Sequence, residues 1–311
     1  MSRNAAPPPT GRYSPLRYPG GKGKLAQFVA SIIKVNRLSD GLYVEPFAGG
    51  GAVAWELLLT GIVRRVSIND ISYPVYSFWR SVVERTDELI DMIKVTEVNL
   101  QNRDYYKSLI SSPRDGDYLE IGFAMFFLNR THRSGILNGG VIGGRDQTGK
   151  WKIDARYNKA ELIERIERIA QFKDKISLSN LDAMEFINSN LKNWGPRTLV
   201  YFDPPYYEKG RQLYDDFYHH KDHENVAKTV CGLEDVSWIV SYDDADPIHK
   251  LYGHFPTLEY SIGYSARNRS QGAEVMFFSR GLTIPPVMGS ISETRRTSSG
   301  AAKLERSAGL I

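Results

Sequence analysis

Short apolar runs that end in glycines alternate along most of this chain with stretches in which apolar side chains recur every three or four positions. Leu42 to Phe47 is the first clear strand; it runs into Ala48-Gly49-Gly50-Gly51, after which Ala52 to Leu59 takes helical spacing and stops at Gly61. A second run, Val63 to Ile68, ends in Asn69-Asp70 and leads into a helical stretch from Ser72 to Val83. Together they predict a βαβ unit with an acid closing its second strand. Between Asp87 and Phe172 the pattern changes. Helical stretches such as Tyr118 to Leu128 and Glu161 to Ile169 flank a glycine-rich loop, which predicts an inserted helical subdomain over 87–172. Strand signals resume at Ile176 to Leu178, Thr198 to Phe202, Ser237 to Ser241, Leu258 to Tyr264 and Glu274 to Ser279. The last two predict an antiparallel hairpin at the sheet edge. The alternation predicts an α/β fold whose main domain is formed by 13–86 and 173–284. Residues 1–12 are proline-rich, and 285–311 are rich in Ser, Gly, Ala and Arg; both are expected to be disordered tails.

Composition narrows the class. The chain has 311 residues, 41% hydrophobic and 24% charged, the profile of a soluble globular protein of one large or two modest domains. It contains no apolar run long enough to span a bilayer, and its start is polar, so neither a membrane span nor a secretion signal is expected. A single cysteine, Cys231, cannot form an internal disulfide or a multi-cysteine metal cage; a reducing, cytoplasmic setting is expected. Forty basic against 36 acidic side chains leave a net charge of +4, too small for indiscriminate polyanion binding, so the placement of charge matters more than its sum.

Gly49-x-Gly51-x-x-Ala54 after a strand fits a turn that lets a cofactor approach the backbone at a helix N-terminus, and fits equally a turn needed only for tight packing. Asp70, 19 positions after Gly51, favours a nucleoside cofactor whose ribose it would bind. A nicotinamide cofactor is disfavoured by Glu45-Pro46 inside the first strand and by the lack of any other sign of hydride chemistry.

Asp203-Pro204-Pro205-Tyr206, directly after an apolar strand, is the most informative tetrad. Two prolines fix an extended, donor-poor backbone, so the Asp203 carboxylate and the Pro204 carbonyl can face one point as acceptors. Such a point suits an amino group. Acceptors holding the hydrogens of an aromatic amine favour a pyramidal nitrogen and aim its lone pair at an electrophile. Tyr206 offers a flat face for a heterocycle; the plainer reading is a rigid turn at a polar strand end.

In order, Arg17-Tyr18-Pro19-Gly20-Gly21-Lys22, Val44-Glu45-Pro46-Phe47-Ala48-Gly49-Gly50-Gly51, Asp70, the insert and Asp203-Pro204-Pro205-Tyr206 resemble the Dam-type (D12 class) DNA adenine-N6 methyltransferases, over about Leu16 to Gly281. The resemblance implies a Rossmann-like methyltransferase sheet, S-adenosylmethionine as methyl donor and no metal. It places Tyr18, Lys22, Glu45, Phe47, Gly49, Gly51, Asp70, Asp182 and Asp203 at the cofactor, with the Lys22 ammonium pairing its carboxylate and Asp182 near its adenine. An N-cap of the following helix is the alternative job for Asp182. Asp203, Pro204, Pro205 and Tyr206 would hold an adenine flipped out of the duplex. Tyr207, Tyr214 and Phe217 follow and are candidates to close over it.

Residues 130–156 hold Arg130, Arg133, Arg145, Lys150, Lys152 and Arg156 against Asp146 and Asp154, an excess equal to the net charge of the whole chain, together with six glycines. A basic, glycine-rich loop can follow a phosphate backbone. The resemblance gives this insert to target recognition and Arg156 to phosphate. It does not extend to the residues that read GATC: Arg133-Ser134-Gly135 stands in place of an aromatic-asparagine pair, and Asn138 in place of a base-reading arginine. Arg267 and Arg269 are further candidates for phosphate contact. The function expected is site-specific adenine methylation of double-stranded DNA by a monomer, with a restriction endonuclease as a candidate partner. The rival readings are N4-cytosine or another amino methyltransferase, an NAD-dependent dehydrogenase, and a non-catalytic DNA-binding protein.

Overall fold

In a computed structural model, the described residues are 13–18, 22–111, 117–208, 218–262, 273–288 and 291–297. They form an eight-stranded sheet: β1 (Leu42–Glu45), β2 (Arg65–Asn69), β3 (Ile176–Ser179), β4 (Thr198–Phe202), β5 (Ser237–Asp243), β6 (Thr257–Ile262), β7 (Ala273–Phe278) and β8 (Ile291–Thr297). The strand order is β3-β2-β1-β4-β5-β7-β6-β8. β1 to β5 pair in parallel, whereas β7 is antiparallel to both β5 and β6, and β8 is antiparallel to β6. β1 stops at Glu45, before the Phe47 end expected, because Pro46 has no N–H to give the ladder.

The side-chain alternation of the strands sorts residues onto two faces. Tyr43, Leu199, Tyr201, Ile239 and Met276 enter one apolar cluster; Val44, Val200, Phe202, Val240 and Phe277 enter the other. The first face is covered by α1 (Ala26–Val35), α2 (Ala52–Leu59), α3 (Tyr73–Glu84), α4 (Thr86–Val95), α5 (Leu100–Ile110), α6 (Tyr118–Thr131) and α7 (Lys159–Ala170). On the second lie α8 (Ala183–Asn190), α9 (His220–Cys231) and α10 (Asp246–Tyr252).

The expected insert is helical, but its helices join the same apolar cluster as β1 and β2 and do not surround a core of their own. α6 explains why: it is apolar all round and buried along nearly its full length. A side chain at Gly122 would meet the Ser77 carbonyl at 2.6 Å, so only glycine lets α6 lie this close to α3, with Phe126 stacked on Phe78 at 5.4 Å.

Two further corrections concern the C-terminal part. The β6–β7 hairpin is not the edge, and residues 291–297 are not a tail: they form β8, which covers β6. β8 was hidden because Ser292, Glu293, Thr294, Arg295 and Arg296 give no apolar alternation. It is an outer strand held by its backbone, with Ile291 buried and Arg296 donating to the Ile284 and Pro285 carbonyls.

Candidate active site

Strand order reverses between β1 and β4, and the chain segments leaving both strands border one cavity of about 790 Å³. From β1 comes the glycine turn. Gly49 and Gly51 have φ of 47° and 57°, the left-handed region, and Gly51 leads directly into α2. The turn is held from several sides. Gly49 N–H donates to Asp70 Oδ2 at 2.7 Å, Trp79 Nε1–H donates to the Gly49 carbonyl at 2.8 Å, and the Ser14 hydroxyl donates to the Gly50 carbonyl at 2.6 Å. Tyr18 lies over the turn, where a side chain at Gly49 would meet its ring at 2.6 Å. Asp70 also accepts from Ser72 N–H at 2.9 Å, so it braces the turn as well as lining the cavity.

From β4 comes Asp203. Its Oδ1 accepts from the Ser241 hydroxyl at 2.8 Å and from Lys22 Nζ at 3.1 Å, and no described residue donates to Oδ2. Tyr201 is hydrogen-bonded to Ser241 at 2.8 Å. Lys22 also pairs with Glu274 Oε2 at 3.1 Å, an oxygen that accepts from the Tyr260 hydroxyl at 2.8 Å. The ammonium expected at the cofactor carboxylate does line the cavity, but it already pairs with two carboxylates, Glu274 buried and Asp203 partly buried. Burial alone would lower the Lys22 pKa; Asp203 reverses the sign and holds it well above the ordinary lysine value. Burial raises the pKa of Asp203, against the pull of Lys22 and Ser241.

Asp203 and Pro205 line the cavity, whereas Pro204 and Tyr206 are buried and do not. The Tyr206 ring carries the Lys22 ammonium 5.1 Å from its centre, so stacking of a base on it requires that ring to be uncovered. Beyond the prolines, Asp243 at the end of β5 accepts from Tyr207 N–H at 2.8 Å and Glu208 N–H at 2.9 Å. Ser241 and Asp243, two positions apart on β5, thus hold the first residue of the tetrad and the two residues directly after the tetrad.

Glu45 lines the same cavity. Tyr43 donates to it at 2.9 Å, and no described cation lies within ion-pair distance of it. Burial pushes its pKa up from 4.5 to about 8. A buried acid with no described cation beside it, an open glycine turn, Phe47 and Asp70 fit the donor implied by the family, whose sulfonium and α-ammonium carry positive charge. Asp182 is exposed and caps α8, accepting from Met184 N–H at 2.8 Å; its neighbour Ala183 lines the cavity. Among the described residues, no group of three or more His, Cys, Asp or Glu side chains is arranged to hold a metal ion, and no helix is long and apolar enough to cross a membrane.

The mouth is basic. Arg17, Arg130, Arg156 and Arg165 line it. Arg165 pairs with Glu161, but no described carboxylate lies within ion-pair distance of Arg17, Arg130 or Arg156. Arg17 and Arg130 donate instead to the His132 and Arg156 carbonyls, at 3.0 and 2.7 Å. Burial and then the charges of Arg17 and Arg165 push the Arg130 pKa down to about 10. Arg133 and Asn138 are exposed in the following loop; Arg267, Arg269, Tyr214 and Phe217 lie outside the described residues.

Sequence reasoning missed Arg17, Arg165, Ser241, Asp243 and Glu274. Glu274, an acid within the apolar strand Ala-Glu-Val-Met-Phe-Phe, was itself a signal. So were Ser241 and Asp243 at the C-terminal end of a parallel strand.

A sheet of this order, with an antiparallel seventh strand between the fifth and sixth and a cavity at its switch point, is the Rossmann-like methyltransferase architecture. The chain belongs to the D12 class N6 adenine-specific DNA methyltransferase family, whose profile matches residues 18–265. It is 24% identical over 200 residues to the type II methyltransferase M1.LlaDCHI of Lactococcus lactis subsp. cremoris, a match spanning 61% of this chain and 64% of that one. To the type II methyltransferase M.MjaIII of Methanocaldococcus jannaschii it is 24% identical over 208 residues, spanning 61% and 68%. Among solved structures, the rRNA methyltransferase aviRa of Streptomyces viridochromogenes aligns over 80% of this chain and 82% of its own, with a TM-score of 0.33 and 11% identity, too loose a likeness to bear on the site.

Proposed function

We propose that this chain is an S-adenosylmethionine-dependent DNA methyltransferase acting on the N6 amine of an adenine drawn out of the duplex. The observation that carries the reading is the setting of Asp203: both of its donors meet Oδ1, which leaves Oδ2 to accept an amine hydrogen beside the glycine turn. The Pro204 carbonyl, buried beside the cavity, takes the second hydrogen only once the incoming base uncovers it, and the nitrogen lone pair is turned toward the turn side of the cavity. Bound there, S-adenosylmethionine supplies an electrophilic sulfonium methyl. Tyr18, Glu45, Phe47, Gly49, Gly51 and Asp70 hold it, with Glu45 facing positive charge. Lys22 and Ser241 oppose the upward pull of burial on the Asp203 pKa and fix the carboxylate in direction. The arginines of the mouth hold the DNA backbone. Family membership supports the substrate and the donor, and two relatives named as type II methyltransferases support a place beside a restriction endonuclease of the same specificity.

The test uses duplex DNA, tritiated donor and mass spectrometry of the digested nucleosides. N6-methyladenine is expected, and Asp203→Ala should lower the transfer rate at least ~10²-fold while leaving donor affinity within about twofold. N4-methylcytosine as product, or full activity of the variant, would overturn the reading.

A further inference from the structure

Most large aromatic side chains of this protein are buried; Trp55, Trp79 and Trp238 are each at most 1% exposed. Trp151 is 59% exposed, in the basic loop that follows α6. The loop has no regular helix or strand around this residue, yet it is firmly built. The Gln147 side chain donates to the Ile142 and Gly144 carbonyls at 2.9 and 2.6 Å and accepts from Ile153 N–H at 2.9 Å. Gly149 N–H donates to the Gly143 carbonyl at 3.0 Å, and Arg145 holds Asp104 on α5 at 2.8 Å. Val141, Ile153 and Tyr157 anchor its ends in the interior. A loop held this firmly displays a large ring to water at a standing hydrophobic cost.

The surroundings of the ring define what would cover it. Lys150 Nζ lies 5.7 Å and Arg156 Cζ 5.8 Å from its centre, and no described carboxylate pairs with either cation. Arg156 also lines the cavity that contains Asp203. The complement of a half-exposed flat ring with two cations over it, neither paired with a described carboxylate, is a flat apolar group between two anions: a nucleobase that takes the ring face while its flanking phosphates draw the cations aside. A protein partner would need an acidic rim around an apolar pocket and would have to share the cavity mouth with the substrate. We propose that Trp151 stacks on a DNA base beside the position from which the adenine leaves the duplex, with Lys150 and Arg156 on the adjoining phosphates. The proposal deepens the DNA methyltransferase reading and rests on it.

Trp151→Ala and Trp151→Phe in the full chain test it. Duplex binding is measured by anisotropy of a labelled oligonucleotide across a salt series, and methyl transfer is measured in parallel. Trp151→Ala should weaken duplex binding roughly tenfold, with an unchanged slope against salt because no phosphate contact is lost, and Trp151→Phe should restore most of it. Iodide should quench the fluorescence of the wild-type protein less when duplex is bound, and that protection should vanish in both variants. Donor affinity should stay as in the wild type. Wild-type binding by Trp151→Ala, a weakened salt slope, or no rescue by phenylalanine would overturn the stacking role. If the wild type transfers no methyl group while Trp151→Ala still weakens duplex binding as described, the enzyme reading fails and the stacking role stands.

Discussion

At the end of β4, Lys22 sits between Asp203 and Glu274, each 3.1 Å away, and Ser241, Tyr201 and Tyr260 complete the hydrogen bonds. At the mouth of the same cavity, Arg17, Arg130 and Arg156 crowd together; Arg17 and Arg130 have carbonyls for partners, Arg156 lies over the Trp151 ring, and no described carboxylate pairs with any of the three. The inner cluster has supplied its own counter-charges and is set in geometry before any ligand arrives. The outer one leaves its charge uncompensated, so an anion that enters finds cations already stripped of part of their water. Compensation marks the part that positions; its lack marks the part that binds. Glu45 is the outer cluster in mirror image, a buried acid with no cation within ion-pair distance among the described residues.

The contrast breaks most sharply at Lys22. Lys22→Met removes the cation shared by buried Glu274 and partly buried Asp203 and should cost about 3–5 kcal/mol in urea unfolding. Adding Glu274→Gln to that variant should recover a large part, because one of the stranded charges is gone. A loss under about 1 kcal/mol would mean that the inner cluster is not compensated as described.

Arg130→Met should do the opposite. It relieves repulsion among the arginines, so unfolding stability should hold or rise, while duplex affinity falls and the slope of log K against log salt shrinks by about 0.9. Lower stability with unchanged DNA binding would make the mouth a structural cluster and remove the contrast.

The effect at Glu45 is confined to a window of pH. Its pKa rises from 4.5 in the open chain to about 8 in the fold, so the folded state keeps a proton that the unfolded state releases. That stabilisation is full below pH 4.5 and is lost as pH climbs to about 8. Glu45→Gln should therefore gain on the wild type in melting temperature across this window, and the gap should narrow when the positively charged donor is present. Parallel melts at pH 5 and pH 8.5 that show no widening gap would place the titration elsewhere.

Seven strands, five parallel and two antiparallel, and the tetrad were readable because these strands are short, largely apolar runs and because Pro46, the glycine turn and Pro204-Pro205 punctuate the chain. What escaped falls into two kinds. β8 pairs through its backbone and carries mostly exposed side chains, so hydrophobic patterning is silent about it. The partners of Lys22 come from positions 203, 241 and 274, and pattern along the chain does not report which charges the fold brings face to face. The same limit hid the ion pairs of Lys22 and put the stacking ring of Tyr206 in the open.

β7 enters the sheet out of turn, between β5 and β6, and brings Glu274 with it. The family profile ends at residue 265, ahead of this strand. A protein trimmed to the matched stretch would thus lose the central wedge that joins the two halves of its sheet, along with the carboxylate that fixes Lys22. The smallest unit able to keep the Asp203 geometry runs on through β7 to Phe278, and one that also shields the β6 backbone runs on to Thr297.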